Sequence, residues 1–305
     1  MKIFITGGTG FVGTSLTKAL TAQGHQVTLL TRAIKSGRAL PSGAAFLEGN
    51  PKEPGPWQKA VPDHQAFINL AGASIFNRWT EASKKEMRDS RILTTRNLVS
   101  ALADRKGQET VLLSTSAVGY YGFHEEEEVT EETPSGSDFL ALMARDWEAE
   151  ARQAEALGVR VIRCRFGIVL GERGGALDQM IPLFKRGLGS PLGSGKQWFP
   201  WIHQRDLTRI FMFLLEQKEI SGPINCTAPN PVRNRALTRV LAEVLDKPAF
   251  LPAVPGFMLK IILGEFGDVL LKGQKVLPQK LLGLGFRFEF PSLKEALQNL
   301  FARTS

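Results

Sequence analysis

Three glycines near the N-terminus constrain the fold of this chain more than any other feature of its sequence. Gly7, Gly10 and Gly13 form the pattern G-x-x-G-x-x-G, which comes directly after a β-rich apolar run at Lys2–Thr6. Apolar residues then recur at helical spacing over Phe11–Ala22. This order predicts a strand, a tight turn and a helix, because glycine permits the positive φ that such a turn needs.

A loop of this kind is more typical of a dinucleotide-binding site than of a purely structural turn. Glycine lets backbone N–H groups approach a pyrophosphate, and the helix dipole favours negative charge at the helix N-terminus. A nucleotide triphosphatase is disfavoured. Gly8 and Gly13 have the spacing of its phosphate loop, but Thr14 and Ser15 follow, so the lysine that would reach the β- and γ-phosphates is missing.

Strand and helix patterns alternate through the first half of the chain. The predicted strands lie at residues 26–30, 66–70, 110–113 and 159–164, and the predicted helices at 80–103 and 139–157. Because each parallel crossover needs its own helix, this order predicts an α/β fold with a doubly wound parallel sheet over residues 1–170. Residues 171–305 are predicted to form a smaller, helix-rich lobe, from which a strand near 223–227 returns to the sheet.

The composition excludes several classes of protein. Among 305 residues, 38 are Lys or Arg and 30 are Asp or Glu, a net charge of +8, and the basic residues are scattered rather than grouped in blocks. We therefore expect a basic surface with a phosphate pocket and no nucleic-acid partner. Cys164 and Cys226 have no C-x-x-C pairing, which favours a reducing cytoplasm over a disulfide framework or a zinc site.

The sequence predicts neither a membrane segment nor a metal site. No apolar run approaches the roughly 18 residues that span a bilayer, so we expect no membrane partner. The acidic run at residues 125–128, continued by Glu131 and Glu132, lacks a His or Cys ligand pattern. Like charges in such a run repel one another, so it is predicted to be a solvated loop without a metal.

The end of the second predicted strand indicates which dinucleotide is bound. NAD-preferring sites place Asp or Glu there, where the carboxylate binds the ribose hydroxyls. This chain has Thr31 and Arg32, with Arg32 nineteen residues after Gly13. A guanidinium matches a 2′-phosphate in charge and in bidentate geometry, so NADP(H) is favoured over NAD(H). An ordinary solvated arginine at a strand end is the alternative.

Motifs spread over the whole chain give it a family resemblance. They are TGGTGFVG at 6–13, NLAG at 69–72, STSAVGYYG at 114–122, RFGIVLG at 165–171 and WIHQRD at 201–206. In this order they resemble the extended short-chain dehydrogenase/reductase superfamily, and more narrowly its YfcH-like branch, which is related to sugar-nucleotide epimerases. The tail, GQKVLPQKLLGLGFRFEFPSLKEAL, resembles the C-terminal module of unknown function that this branch carries.

The resemblance implies a Rossmann domain with NADP(H) as its cofactor, and it assigns cofactor contacts to the matching positions. These are Gly10, Phe11 and Val12 at the pyrophosphate, Thr31 and Arg32 at the 2′-phosphate, Leu70 and Ala71 at the back of the groove, Glu86 and Arg91 facing the cofactor, and Val169 near the nicotinamide. From the sequence alone, Glu86 and Arg91 are equally well explained as part of a solvated helix face.

Active members of the superfamily use Ser or Thr to orient the substrate oxygen and a Tyr-x-x-x-Lys pair to transfer the proton. Ser116 occupies the matching position at a strand end, although a serine that satisfies a turn is the alternative. The chain has no Tyr-x-x-x-Lys, because His124 stands four positions after Tyr120 and Glu125 stands four positions after Tyr121. Either tyrosine could reach a bound carbonyl, or pack in the groove wall.

Two other segments hold candidate proton donors. His203 could titrate near neutrality, but WIHQRD resembles a segment that in relatives ties the second lobe to the nucleotide domain. The helix that should carry the missing pair offers Arg145, Asp146 and Glu148 instead. For these three charged residues, surface or inter-helix pairing is the prediction.

Two hypotheses about function follow. The first is an NADP(H)-dependent oxidoreductase or epimerase-like enzyme acting on a small polar substrate, of which a nucleotide sugar is one example. The second is a binding or regulatory protein that keeps the cofactor fold and has lost the chemistry. The missing Tyr-x-x-x-Lys motivates the second hypothesis, and the resemblance links some plastid and cyanobacterial relatives to organelle or cell division.

Overall fold

The computed structural model describes residues 1–34, 39–105, 107–172 and 174–302. The strands are Lys2–Thr6 (β1), Gln26–Thr31 (β2), Ala44–Glu48 (β3), Ala66–Asn69 (β4), Val111–Ala117 (β5), Glu128–Val129 (β6), Arg160–Phe166 (β7), Ile168–Leu170 (β8), Trp198–Phe199 (β9), Trp201–His203 (β10), Gly222–Cys226 (β11), Val232–Arg233 (β12) and Lys275–Val276 (β13). The helices are Phe11–Ala22 (α1), Glu81–Ala101 (α2), Phe139–Arg152 (α3), Gly175–Lys185 (α4), Gln204–Glu216 (α5), Asn234–Val244 (α6), Gly256–Leu263 (α7), Glu265–Leu270 (α8), Gln279–Gly283 (α9) and Leu293–Phe301 (α10).

A parallel sheet organises the described part of the chain. Seven strands lie in the order β11-β7-β5-β4-β1-β2-β3, and all six neighbouring pairs are parallel. The strand order reverses at β1, so the carboxyl ends of β1 and β4 flank the position where a dinucleotide binds in such sheets. The predicted doubly wound α/β fold is confirmed. The edge strand β3 was not predicted, because its mixed Ala and Glu pattern gives little period-two signal.

Helices cover both faces of the sheet. On one face α1 and α5 bury Leu16, Leu20, Ile210 and Phe211 against the strands. On the other face α2 and α3 pack over a second cluster that includes Leu98. Burying an aliphatic or aromatic side chain of this size contributes about 1.5–3 kcal/mol, so these two layers fix the sheet and the positions of its strand ends.

The rest of the described chain forms a helix-rich region beside the carboxyl ends of the strands. Helices α4, α6 and α10 enclose Leu177, Leu237 and Leu297 in a third apolar cluster. Between α4 and α6 the chain returns to the sheet through α5 and β11, which pairs with β7. None of the helices in the described ranges is long and apolar enough to cross a membrane.

Strand β5 is longer than its apolar run. The sequence predicts a strand over 110–113, whereas the structure continues the ladder to Ala117, with Ser116 paired with Arg165 of β7. The polar residues Ser114 to Ser116 hide the second half of this strand from a hydrophobicity pattern. The extension carries Ser116 to the carboxyl edge of the sheet.

Candidate functional site

The glycine loop between β1 and α1 makes close backbone contacts that a side chain would block. Gly7 has a φ of +70°, and a Cβ there would lie 2.7 Å from the carbonyl carbon of Leu70. A Cβ on Gly13 would lie 2.5 Å from the carbonyl oxygen of Gly7. The loop therefore fits tightly between the start of α1 and the end of β4, and it lies against the backbone of Leu70 and Ala71, the two residues that the resemblance assigns to the back of the groove.

The start of α1 is open to an anion. Gly10 is the N-cap residue, its amide donates to the Gly7 carbonyl over 3.0 Å, and no side chain in the described ranges caps the helix. Such a terminus presents backbone N–H groups and a positive dipole end. Gly10, Phe11 and Val12 are thus placed where a pyrophosphate would be held.

Phe11 and Val169 meet at the junction between the sheet and the helix-rich region. The ring of Phe11 lies against the backbone of Gly174 and Gly175, where added Cβ atoms would come within 2.4 Å and 3.0 Å of it. The Gln204 side chain donates a hydrogen bond of 2.8 Å to the Phe11 carbonyl. Val169 is on β8, paired with β10, and its carbonyl faces Gly175.

Thr31 and Arg32 close the other end of the groove, where β2 ends. The Thr31 hydroxyl donates to the carbonyl of Ala33 over 3.1 Å, and its own carbonyl accepts from the amide of Gly49 over 2.8 Å. Arg32 is exposed. Its position at the end of β2 agrees with a cation that reaches a 2′-phosphate from the solvent side.

Arg91 is the most unusual charge beside the groove. Its guanidinium lies against Gly72, where an added Cβ would be 3.1 Å from Cζ, and it donates to the Met87 carbonyl over 3.0 Å. It also lies 5.3 Å from the ring of Trp147. Burial lowers the pKa of Arg91 to about 10. Its side chain is partly buried, and among the described residues no carboxylate is within ion-pair distance of it.

Glu86 has a different environment from Arg91, although both lie on α2. The Glu86 carboxylate is exposed and pairs with Lys52, whose ammonium is 2.9 Å from one of its oxygens. Lys52 belongs to the loop that follows β3. Glu86 therefore lies at the same end of the groove as Thr31.

Ser116 is part of a buried polar network. Its hydroxyl donates to Glu148 over 2.7 Å, and the Glu148 carboxylate accepts from Nε and Nη2 of Arg165 at 2.7 Å and 2.9 Å. Arg165 also donates to the Tyr121 hydroxyl over 2.9 Å, and Tyr121 donates to Asn225 over 2.6 Å. Ser116 and Tyr121 are each 1% exposed, so both hydroxyls are enclosed by protein.

The network fixes the charge states of its members. Burial raises the pKa of Tyr121 well above its usual value. Burial alone would lower the pKa of Arg165, but the hydrogen bonds and charge of Glu148 raise it instead. The ring of Tyr120 lies over the Arg165 guanidinium at 3.6 Å. Tyr120 is half-buried, so it is the most accessible of the three candidate hydroxyl residues.

The roles of Glu148 and Arg165 are not predicted by the sequence. For Glu148, as for Arg145 and Asp146, the prediction is surface or inter-helix pairing. Asp146 does pair with Arg88 of α2 at 2.9 Å, but Glu148 is 4% exposed and faces β7. A signal was present, because Ala141, Ala144 and Glu148 fall on one helical stripe, where a charge needs a buried partner.

His203 is structural rather than a group that titrates near neutrality. Its Nδ1 accepts from the amide of Arg205 and caps α5, and its ring lies 4.0 Å from that of Phe290. Burial, and after it the charge of Arg205, lower the pKa of His203 to about 4. The expectation that it could titrate near neutral pH was wrong.

Two further observations bound the site. An open pocket of about 910 Å³ adjoins the glycine loop on the outer side of α1, and its lining includes Gly10, Lys18, His203 and Asn299. It shares Gly10 and Phe11 with the groove described above, whereas Gly7, Leu70 and Arg91 do not line it. In the described ranges no group of three or more His, Cys, Asp or Glu residues is arranged to hold a metal ion.

Comparisons with known proteins give the chain a family. The model of the NAD dependent epimerase/dehydratase family matches residues 3–226. The chain belongs to that family. A second model, a domain of unknown function called DUF1731, matches residues 254–300. Both matches confirm the resemblance that the motifs and the tail suggested.

The relatives extend over almost the whole chain. The epimerase family protein SDR39U1 homolog, chloroplastic, of Arabidopsis thaliana is 42% identical over 300 residues, which cover 98% of this chain and 86% of the relative. The epimerase family protein YfhF of Bacillus subtilis is 41% identical over 303 residues, which cover 99% of this chain and 98% of the relative. The crystal structure of the human epimerase family protein SDR39U1 (isoform 2) with NADPH has a TM-score of 0.86 at 34% identity. The match covers 98% of this chain and 99% of the human chain. The NADPH in that human structure agrees with the NADP(H) predicted here.

Proposed function

We propose that this chain binds NADP(H) and works as an oxidoreductase or epimerase-like enzyme on a small polar substrate. Nucleotide sugars are the first substrate class to test, since the family is named for epimerases. The observation that carries the cofactor assignment is Arg91, a partly buried guanidinium beside Gly72 and without a carboxylate partner in the described chain. A cofactor phosphate would supply the missing counter-charge.

The groove residues have distinct tasks in this proposal. The backbone N–H groups of Phe11 and Val12 bind the pyrophosphate, which lies against Gly10, and Arg32 with Thr31 binds the 2′-phosphate. Leu70 and Ala71 form the back wall of the groove, and Val169 lines its nicotinamide end. When bound, the nicotinamide supplies or accepts the hydride.

Proton transfer falls to Tyr120. The hydroxyls of Ser116 and Tyr121 are engaged in the buried network, where they hold Glu148 and Arg165 in place. Tyr120 is half-buried and stacks on Arg165, which orients its ring. We assign to its hydroxyl the proton that the superfamily's Tyr-x-x-x-Lys would otherwise transfer.

The experiment combines binding with turnover. Titration of the purified protein with NADPH, followed by nicotinamide fluorescence, should show saturable binding. Incubation with a panel of nucleotide sugars and small carbonyl compounds is then followed both by NADPH absorbance and by NMR, because an epimerase returns the hydride and leaves no net change in NADPH. Tyr120→Phe should lower kcat about a hundredfold or more while NADPH binding is unchanged. Saturable binding with no turnover across the panel would count against the enzyme.

A second candidate function is supported by the buried network. In this alternative the chain is a catalytically silent, NADP(H)-dependent binding or regulatory protein with a role in division. The lost catalysis is argued from the burial of the Ser116 and Tyr121 hydroxyls and from the missing Tyr-x-x-x-Lys. Affinity capture with and without NADPH tests it. The alternative requires a partner whose retention changes with NADPH, and identical capture under both conditions would exclude it.

A further inference from the structure

The loop from Gly49 to Gly55, which follows β3, lies between the end of β2 and helix α2 and is hydrogen-bonded to both. At one side the amide of Gly49 donates to the carbonyl of Thr31 over 2.8 Å. At the other side the Asn97 side chain of α2 donates to the carbonyl of Pro51 over 3.0 Å. The loop therefore spans the end of the groove where Thr31 and Arg32 lie.

This loop is held rigidly from below. The ring of Trp57 is 2% exposed and lies so close to Gly49 that an added Cβ would come within 2.8 Å of it. The indole N–H of Trp57 donates to the Glu53 carbonyl over 3.1 Å. A loop anchored by a buried indole and by backbone bonds keeps its side chains at fixed positions.

Lys52 extends from this loop to Glu86. Its ammonium is 2.9 Å and 3.1 Å from the two carboxylate oxygens, and its side chain is only 28% exposed, against 48% for that of Glu86. Most of the lysine is thus covered, while about half of the Glu86 side chain is exposed to solvent. Without Lys52, the end of the groove that receives the 2′-phosphate would carry an uncompensated negative charge.

We propose that Lys52 determines cofactor specificity by neutralising Glu86, so that the groove accepts the 2′-phosphate of NADP(H). The inference rests on the proposed binding of NADP(H), and it adds a residue to the pair Thr31 and Arg32. A 2′-phosphate carries up to two negative charges, whereas NAD(H) has only hydroxyl groups at that position. The charge of Glu86 therefore affects NADP(H) far more than NAD(H).

A double-mutant cycle tests the proposal. In Lys52→Met the Glu86 carboxylate is left without its partner, and the affinity for NADPH should fall about three- to tenfold while that for NADH changes less than about twofold. Lys52→Met combined with Glu86→Gln should restore the NADPH to NADH affinity ratio of the unmodified protein. Lys59→Met is the matched control, because Lys59 is an exposed lysine in the segment directly after this loop and its substitution changes the net charge equally.

Each outcome has one interpretation. A loss that the double variant does not restore means that Lys52 acts without Glu86, and the proposal is wrong. An equal loss for both cofactors, or an equal ratio change in Lys59→Met, would also overturn it, because loop positioning or net charge would explain the result. Failure of the unmodified protein to bind NADPH would overturn the proposed function as well, whereas binding with an unchanged ratio in Lys52→Met overturns only this inference.

Discussion

Arg32 is the residue on which the choice between the two dinucleotides depends most directly. Arg32→Asp removes the charge partner of the 2′-phosphate and adds repulsion, so the affinity for NADPH should fall at least about tenfold more than that for NADH. Fluorescence titration with both cofactors measures the two losses. Arg287→Asp is the control, since Arg287 is exposed in the C-terminal region and the charge change is the same. Equal losses for the two cofactors would remove Arg32 from the site.

Arg91 should have opposite effects on stability and on binding. A partly buried cation without an acidic partner costs stability, so Arg91→Met, which keeps the apolar length, should leave the melting temperature of the protein alone unchanged or higher. The same change should weaken NADPH and NADH alike by about tenfold or more, because the charge of the phosphate loses its partner. Thermal unfolding with and without cofactor measures both effects. If the protein alone melts at a clearly lower temperature, the guanidinium is satisfied by the fold and is not kept for a ligand.

Individual site residues differ in how far the sequence could reveal them. The position of Arg32 just after β2 could be predicted, because it depends only on the distance from the glycine loop along two short elements. Tyr121 could not be placed, since its hydroxyl meets Asn225, 104 positions away. Its neighbour Tyr120 has the same local sequence, yet its ring stacks on Arg165. Which of two adjacent tyrosines faces inward is decided by tertiary packing.

At the scale of elements, periodicity predicted those that are buried on one face or both. Helix α1 has the bounds that were predicted from its spacing. Strand β5 was predicted only over its apolar run, because the residues that follow are polar, and the bond from Ser116 to Glu148 of α3 is a tertiary contact. The acidic run after residue 124 was interpreted as a solvated loop, but Glu131 is 4% exposed. Its carboxylate accepts from backbone amides of Asn225 and Lys280, contacts that no local pattern indicates.

His203, at the N-terminus of α5, should make the free energy of unfolding decrease at acidic pH. The pKa of His203 is lowered from 6.5 to about 4 in the folded protein. Above pH 6.5 the imidazole is neutral in both states, and its contribution to the free energy of unfolding is fully present. That contribution is lost as the pH falls from 6.5 to 4, because the unfolded chain binds the proton more readily than the folded protein does. His203→Asn keeps an acceptor for the cap, and it should reduce the loss of unfolding free energy between pH 7 and pH 4 by about 3 kcal/mol.

Urea unfolding at several pH values measures this difference. The carboxylates contribute equally to both proteins, so subtracting one curve from the other isolates His203. Parallel pH curves for the variant and the unmodified protein would mean that the pKa of His203 is the same in the folded protein as in the unfolded chain, which would contradict the prediction.

At the scale of the whole molecule, the C-terminal region is joined to the nucleotide fold by buried polar contacts rather than by a flexible linker. The Gln274 side chain donates to the Val118 carbonyl over 2.9 Å, close to the two tyrosines. The Glu131 carboxylate accepts a hydrogen bond from the backbone amide of Lys280 in α9, and β13 pairs with β6. The matched module at 254–300 therefore packs beside Tyr120 and Tyr121. A change in the position of this module would alter the surroundings of the two tyrosines.

Asp206 provides the sharpest test of that docking. Its carboxylate is completely buried and accepts from the amides of Glu289 and Phe290 over 2.8 Å and 2.9 Å. Asp206→Ala leaves both amides without an acceptor, so the free energy of unfolding should fall by about 2–4 kcal/mol. Asp104→Ala, at an exposed position, should change it by less than about 0.5 kcal/mol. Limited proteolysis should then cut first near residues 286–292, because the segment before α10 has lost its attachment to α5. An unfolding midpoint like that of the unmodified protein would show that apolar packing of α10 alone holds the two parts together.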